Sequence, residues 1–275
     1  MRISDVLLSL RGIVKYELRV VARYRWEFLL FGMMPYFLAG FFYLVGMGIG
    51  GEEALRNFMS ATGYKEAFLY MLVGSAVLLV IVISIESVIS ELYSGLATGW
   101  LELLMLTRTN MFVYLFGLST PYFITNVMIS IFSFIPAAIY LGGVEGGVRL
   151  LLVLVVLFIG LLPLQGISLI IATFVVRYKE PQALSQPVRA ILLVLSGCIY
   201  PIYVLPRWMQ IAALAFPPYY MSEAIRVGIM LSNPYLTLYY LGMILALTLL
   251  YYPMGLGFYK RFERSAKLTG ELSKV

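Results

Sequence analysis

The sequence predicts an all-α membrane protein. It reads as a polytopic bundle of six transmembrane helices, with an N-terminal amphipathic interface helix ahead of it and a re-entrant helical hairpin before the last span. Three observations lead there. Of the 275 residues, 61% are hydrophobic and 12% charged, with a mean hydropathy of +0.92, far from the roughly 45–50% apolar and 25% charged residues of a soluble domain. Charge-free runs of membrane-crossing length recur along the whole chain. Basic residues gather at both ends: Arg2, Arg11, Lys15, Arg19, Arg23 and Arg25 in the N-terminal arm, and Lys260, Arg261, Arg264, Lys267 and Lys274 in the tail.

A helix needs about 20 apolar residues, at about 1.5 Å each, to cross roughly 30 Å of hydrocarbon. The gaps between charges are Phe28–Gly51, Ala67–Ile85, Thr109–Val144, Leu150–Val176, Ala190–Pro206 and Val227–Tyr259. Four are long enough outright, Ala67–Ile85 lies within range, and Ala190–Pro206 is the shortest. Backbone amides in lipid must be paired within their own segment, so runs of this continuity are helices rather than barrel strands. Cytoplasmic connections carry the excess of Lys and Arg. Both termini therefore belong in the cytoplasm of a multi-pass cell-membrane protein, which requires an even number of spans. With six, the connections Glu91–Asn110 and Arg177–Arg189 are also cytoplasmic, and fifteen of the 20 basic residues lie inside. The net charge of +6 is thus a topology signal, and no nucleic-acid partner is expected. Residues 1–275 read as a single transmembrane domain.

In chain order, residues 1–25 form the interface helix. Ile3, Leu7, Leu10, Val14, Leu18 and Val21 repeat at three- and four-residue steps, while Arg11, Lys15, Arg19 and Arg23 repeat every four on the adjoining face. Such a helix lies in the headgroup plane with its cations near anionic lipid. The first span holds Pro35, Gly40, Gly46 and Gly48, and the polar stretch Glu52–Glu66 reads as an outer loop. The second span ends at Glu86 and Glu91, both close enough to the cytoplasmic interface to snorkel.

The connection Glu91–Asn110 is the most informative interruption. Its second half is apolar enough to lie against lipid or protein, yet it carries Glu102 and ends at Arg108. It is either an interfacial loop or a handle for something in the cytosol. The third run carries Pro121, Pro136 and Asn126, the fourth Pro163 and Gln165. Asn126 and Gln165 are candidates for a substrate path, although helix-to-helix hydrogen bonding is the commoner fate of such amides. After the fifth run, Pro201, Pro206, Pro217 and Pro218 cut the stretch Ser196–Arg226 into pieces too short to cross. Pro206 suits the start of a short helix, and Pro217-Pro218 should end it. Glu223 and Arg226, three apart, are spaced to pair. Non-spanning helices at membrane depth must pack on protein or line a cavity, so residues 206–231 read as an outer-side re-entrant segment and gate.

The chemistry excluded is as informative. The chain has no histidine, its one aspartate is Asp5, its one cysteine is Cys198, and it has no Gly-x-x-x-x-Gly-Lys-Ser/Thr loop. That removes the usual general base, the Ser/His and Cys/His nucleophile pairs, a disulfide within the chain, and ATP binding by this chain through a Walker loop. No catalytic or metal-ligating residues are expected.

Two segments resemble those of the membrane subunits of type-2 ABC exporters. Gly99-Trp100-Leu101-Glu102-Leu103-Leu104-Met105-Leu106-Thr107 is similar to their cytoplasmic Gly-Thr-Leu-Glu-Leu-Leu…Thr-Pro segment, with Trp100 in place of Thr and Arg108 in place of Pro. Ser196-Gly197, Pro201, Leu205-Pro206, Trp208, Pro217, Glu223 and Arg226 are similar to their late Ser-Gly…Pro…Leu-Pro-x-Trp…Pro…Glu-x-x-Arg segment. The resemblance implies a permease that pairs with a second copy or paralogue and with cytoplasmic ATPase subunits, which hold the ATP and magnesium. It makes Gly99, Trp100, Leu101, Glu102, Leu103, Leu104 and Thr107 the ATPase-coupling residues, and Pro201, Pro206, Trp208, Pro217, Glu223 and Arg226 the outer gate. An amphiphilic or hydrophobic cargo such as a drug, lipid or glycan is the expectation. An ion-coupled secondary transporter and a non-transporting membrane scaffold remain the alternatives.

Overall fold

A computed structural model of the chain describes residues 11, 15, 19, 22–99, 124–136, 139, 143–178, 181–231 and 233–269. Among the described residues the regular structure is entirely helical: α1 (Arg25–Thr62), α2 (Ala67–Ala97), α3 (Ile124–Pro136), α4 (Gly143–Tyr178), α5 (Pro181–Leu195), α6 (Arg207–Ala213), α7 (Pro217–Arg226) and α8 (Pro234–Thr269). Four of them carry apolar windows long enough to cross a membrane: Leu29–Thr62, Ala67–Gly95, Glu145–Phe174 and Pro234–Phe262. Arg11, Lys15 and Arg19, which the interface helix places on one face, are helical and exposed.

The structure departs from the sequence reading at three places. Glu52–Glu66, expected as a loop, is helical through Thr62. Gly51 bends α1 there with φ 61 and ψ −158, a conformation open to glycine, and Arg56 pairs with Glu52 at 3.0 Å one turn away. The fifth apolar run stops being helical at Leu195, well before it spans a bilayer, because Gly197 adopts φ 62 and turns the chain. Together with α3, it supplies only a shorter apolar helix among the described residues, so four candidate spans are seen where the sequence offers six runs. Pro217-Pro218 do not end the preceding helix. α6 has already stopped at Ala213, and the two prolines open α7, where a missing N–H costs nothing.

Helix α2 is the axis of the core. Val73, Val77, Ile81, Ile85 and Leu92 are all completely buried along it, packed between α1 and α4. Polar side chains stitch the helices together at depth. Asn126 Nδ2 donates to Ser84 Oγ at 3.1 Å, Ser168 Oγ to the Ser84 carbonyl at 3.1 Å, Ser133 Oγ to the Gly32 carbonyl at 3.1 Å, and the Tyr36 hydroxyl to the Ser133 carbonyl. Such bonds join α1 to α3, α3 to α2, and α4 to α2. By contrast α1 and α8 turn apolar side chains outward, with Ile49 86% and Leu249 79% exposed, as helices facing hydrocarbon do.

The most extensive pairing, α4 with α8, depends on backbone contact. A Cβ on Gly166 would sit 2.5 Å from the Tyr251 carbonyl oxygen, and one on Gly255 would overlap the Gly166 carbonyl. Small residues let membrane helices approach this closely. Gly166→Leu should therefore lower stability by about 1–3 kcal/mol through overpacking, read as a lower melting temperature in detergent. Gly242→Leu on α8, with open space around its Cα, should leave melting unchanged.

Candidate functional site

The site begins where α5 ends. Gly197 reverses the chain, Ser196 Oγ accepts the Cys198 amide at 3.2 Å, and a 3₁₀ turn at Ile202–Val204 leads through Pro206 into α6. Gln210 on α6 closes this loop, its Nε2 amide donating to the carbonyls of Leu205 (2.8 Å) and Tyr203 (3.1 Å). α7 then returns the chain to the bundle and passes into a π-helical turn at Val227–Leu231.

Arg226, in the last turn of α7, is completely buried. Its Nη1 donates to the Gly197 carbonyl at 2.9 Å and to Glu223 Oε1 at 2.8 Å, and its Nη2 to the Cys198 carbonyl at 2.5 Å. The guanidinium carbon lies 3.5 Å from the centroid of the Tyr70 ring on α2, a cation–π contact strengthened by desolvation. The second carboxylate oxygen of Glu223 accepts the Tyr64 hydroxyl at 3.2 Å. Burial, reinforced by the Glu223 charge, pushes the Tyr64 phenol up, so it stays a neutral donor. Ser222 Oγ adds a bond to the Ser196 carbonyl at 3.1 Å. α2 reaches this loop only because residue 74 is glycine: a Cβ there would overlap the Cys198 carbonyl.

Of the residues singled out as a gate, Glu223 and Arg226 form this cluster with Pro217 buried at the start of the same helix. Pro201 is buried in the loop, and Pro206 precedes α6. Trp208 stands apart, 67% exposed. A cavity of about 530 Å³ opens between this cluster, the α1–α2 connection and α6, with Tyr64, Tyr70, Tyr203, Tyr219 and Glu223 in its walls. Tyr64, Tyr70 and the two loop carbonyls were not foreseen. The tyrosines merge with the aromatic residues common at span ends, and backbone carbonyls leave no mark in a sequence.

Toward the other end of α2, Glu86 pairs with Arg189 of α5; the carboxylate that the sequence reading left to snorkel has a specific partner. Asn126 is buried and bonded between helices, and Gln165 is partly buried on α4. α2 ends at Ala97, and Gly99 follows with φ 76. Trp100, Leu101, Glu102, Leu103, Leu104 and Thr107 lie outside the described residues. No cluster able to hold a metal ion occurs among the described residues.

Several long apolar helices joined by a polar seam mark a multi-pass membrane protein. The model of the ABC-2 type transporter family matches residues 9–230, and the chain belongs to that family. It is accordingly a transporter permease rather than a catalytic subunit. No curated protein matches the chain.

Replacing Arg226 by Met should cost about 3–5 kcal/mol, because it strands two buried carbonyls and a partly buried carboxylate. The double change Glu223→Gln with Arg226→Met should recover part of that, since no lone charge remains. Denaturant titration of the purified protein, followed by far-UV circular dichroism, measures both.

Proposed function

We propose that the chain is the membrane permease subunit of an ATP-driven ABC exporter. It works beside a second permease copy or a paralogue and with separate cytoplasmic ATPase subunits, which supply ATP and magnesium. In this reading the chain crosses the cell membrane six times with both termini in the cytoplasm, and it moves an amphiphilic or hydrophobic substrate, a drug, lipid or glycan, outward by alternating access. The observation that carries the proposal is the family match across residues 9–230, which takes in most of the arm, the segment after α2 and the Ser196–Arg226 stretch together.

The geometry supports a mechanical route. Helix α2 is one continuous rod of 31 residues, about 46 Å long at 1.5 Å per residue. One end leads into Gly99–Thr107, the segment assigned to the ATPase contact. The other holds Tyr70 and Gly74 against the Arg226 cluster. The Glu86–Arg189 pair ties the rod to α5, whose far end Arg226 also grips. Closure of an ATPase dimer on the Gly99–Thr107 segment would thus displace a rigid element that reaches the opposite face. A bound ATPase shifts the permease between inward- and outward-open states only through contacts that differ between them, and this rod provides the difference.

Leu101→Asp together with Leu104→Asp should abolish co-purification of the partner ATPase while leaving the permease folded and in the membrane; undiminished co-purification refutes the coupling role. Independently, a cysteine at Thr98 in a Cys198→Ser background should react with an impermeant maleimide in inverted vesicles and not on intact cells. Labelling on intact cells reverses the topology and removes the basis for the proposal.

A further inference from the structure

We propose that the groove between the first turns of α4 and α8 holds one phospholipid with a primary-amine headgroup, a phosphatidylethanolamine, as a fixed boundary lipid rather than as cargo. The binding stands on the groove itself and does not depend on the exporter reading above.

The groove has a volume of about 390 Å³, with Glu145, Val148, Arg149 and Leu152 of α4 on one side and Asn233 and Thr237 at the start of α8 on the other. It lies at the end of the bundle remote from Gly99, because Arg149 reaches the Ile229 carbonyl just beyond the Arg226 that rests on Tyr70. Tyr235, 84% exposed in the first turn of α8, is the kind of side chain found at headgroup level. Further along, α4 turns Val155 and Phe158 outward and α8 turns Leu238 and Leu245 outward. The groove therefore opens onto the surfaces of the bundle that face hydrocarbon.

Its polar end carries both charges that a zwitterion needs. Arg149 Nη2 and Glu145 Oε2 are 3.4 Å apart, long for a charge-assisted bond, and the Glu145 side chain is 82% exposed. A guanidinium has five N–H donors. Arg149 gives one to the Ile229 carbonyl at 2.8 Å and one to the loose Glu145 contact, so three remain for phosphate oxygens. Asn233 adds another: its Oδ1 caps α8 by accepting the Leu236 amide at 3.2 Å, which leaves the Nδ2 group unused. The phosphate would sit on Arg149 and Asn233, the amine on Glu145, and an acyl chain past Val148 and Leu152. An ammonium brings three donors as well as charge to the carboxylate. Choline brings charge without a donor, and an anionic headgroup has no cation for Glu145. A partner helix, about 10–12 Å across, is too wide to enter.

The test uses the full chain, without ATPase, in nanodiscs of equal parts phosphatidylethanolamine, phosphatidylcholine and phosphatidylglycerol with identical acyl chains. After transfer to detergent, retained lipids are counted by native mass spectrometry. Phosphatidylethanolamine should be retained at about one per chain and about tenfold over either competitor. Glu145→Gln removes the carboxylate from an exposed position, and Asn233→Asp keeps the helix cap while setting a carboxylate against the phosphate. Both should lower that retention about tenfold with the melting temperature unchanged. Glu52→Gln, which removes an exposed acid paired with Arg56 on α1, should retain the lipid fully, and excess glycerophosphoethanolamine should not displace it. Equal retention of phosphatidylcholine or preferential retention of phosphatidylglycerol overturns the proposal. So does retention unchanged in either Glu145→Gln or Asn233→Asp, loss in Glu52→Gln, or displacement by the chain-free headgroup.

Discussion

The structure around the α5–α7 connection depends on one buried guanidinium. Gly197 ends α5 early, and the carbonyls of Gly197 and Cys198 are left beyond the last helical turn with no helical N–H to receive. In an apolar setting every such group must be paired. Arg226 supplies the donors: a planar fork that reaches both carbonyls and Glu223 at once while its face rests on Tyr70. Lysine, with one point charge and no plane, would not meet all four demands. The positive charge also sits at the carboxyl end of α5, where the helix dipole favours a cation. The arginine therefore takes the place of the helix turn that Gly197 removes.

Position follows from that choice. Because Arg226 binds the loop on one side and Tyr70 on the other, α2, α5 and α7 are fixed to one another at a single point. The fit is tight enough that Gly74 has no room for a side chain. The Glu223 carboxylate, turned toward Arg226, offers its second oxygen to Tyr64, which brings the α1–α2 connection onto the same cluster. The aromatic cavity is what remains between these constraints and α6: its inner wall is the rigid cluster, its outer wall the exposed short helix.

Much of this was legible in the sequence, and the part that was not has a physical reason. Hydropathy alone marked the long helices, because a chain in lipid must satisfy its backbone locally. The three-residue spacing of Glu223 and Arg226 marked their pairing, and the cluster of prolines marked helices too short to span. What spacing does not carry is depth. Glu86 lies near the end of an apolar run and reads as a snorkelling acid, since nothing local announces Arg189, 103 residues later. Gly51 and Gly197 look alike as sequence, yet one merely bends a helix that runs on for eleven residues and the other ends one. Their difference lies in what packs around them. The fifth run is apolar through Pro206, so composition extended a helix that backbone conformation cut short.

The Glu86–Arg189 and Glu223–Arg226 ion pairs differ in how far solvent screens them. Glu86 keeps half of its side chain exposed while Arg189 is largely buried, so solvent screens this pair more than it screens the Arg226 cluster. Separating α2 from α5 near Glu86 therefore costs less than breaking the Arg226 cluster, since water can reach the Glu86 carboxylate. Arg226 has no exposed surface, and parting it from Glu223 or from the loop carbonyls would strand buried polar groups at about 3–5 kcal/mol. A force along α2 thus meets a weak tie at one end and a strong one at the other. Under the coupling proposed above, the rod would pivot on the Arg226 cluster and helix separation would begin on the Glu86 side, where the described part of α2 runs on toward Gly99.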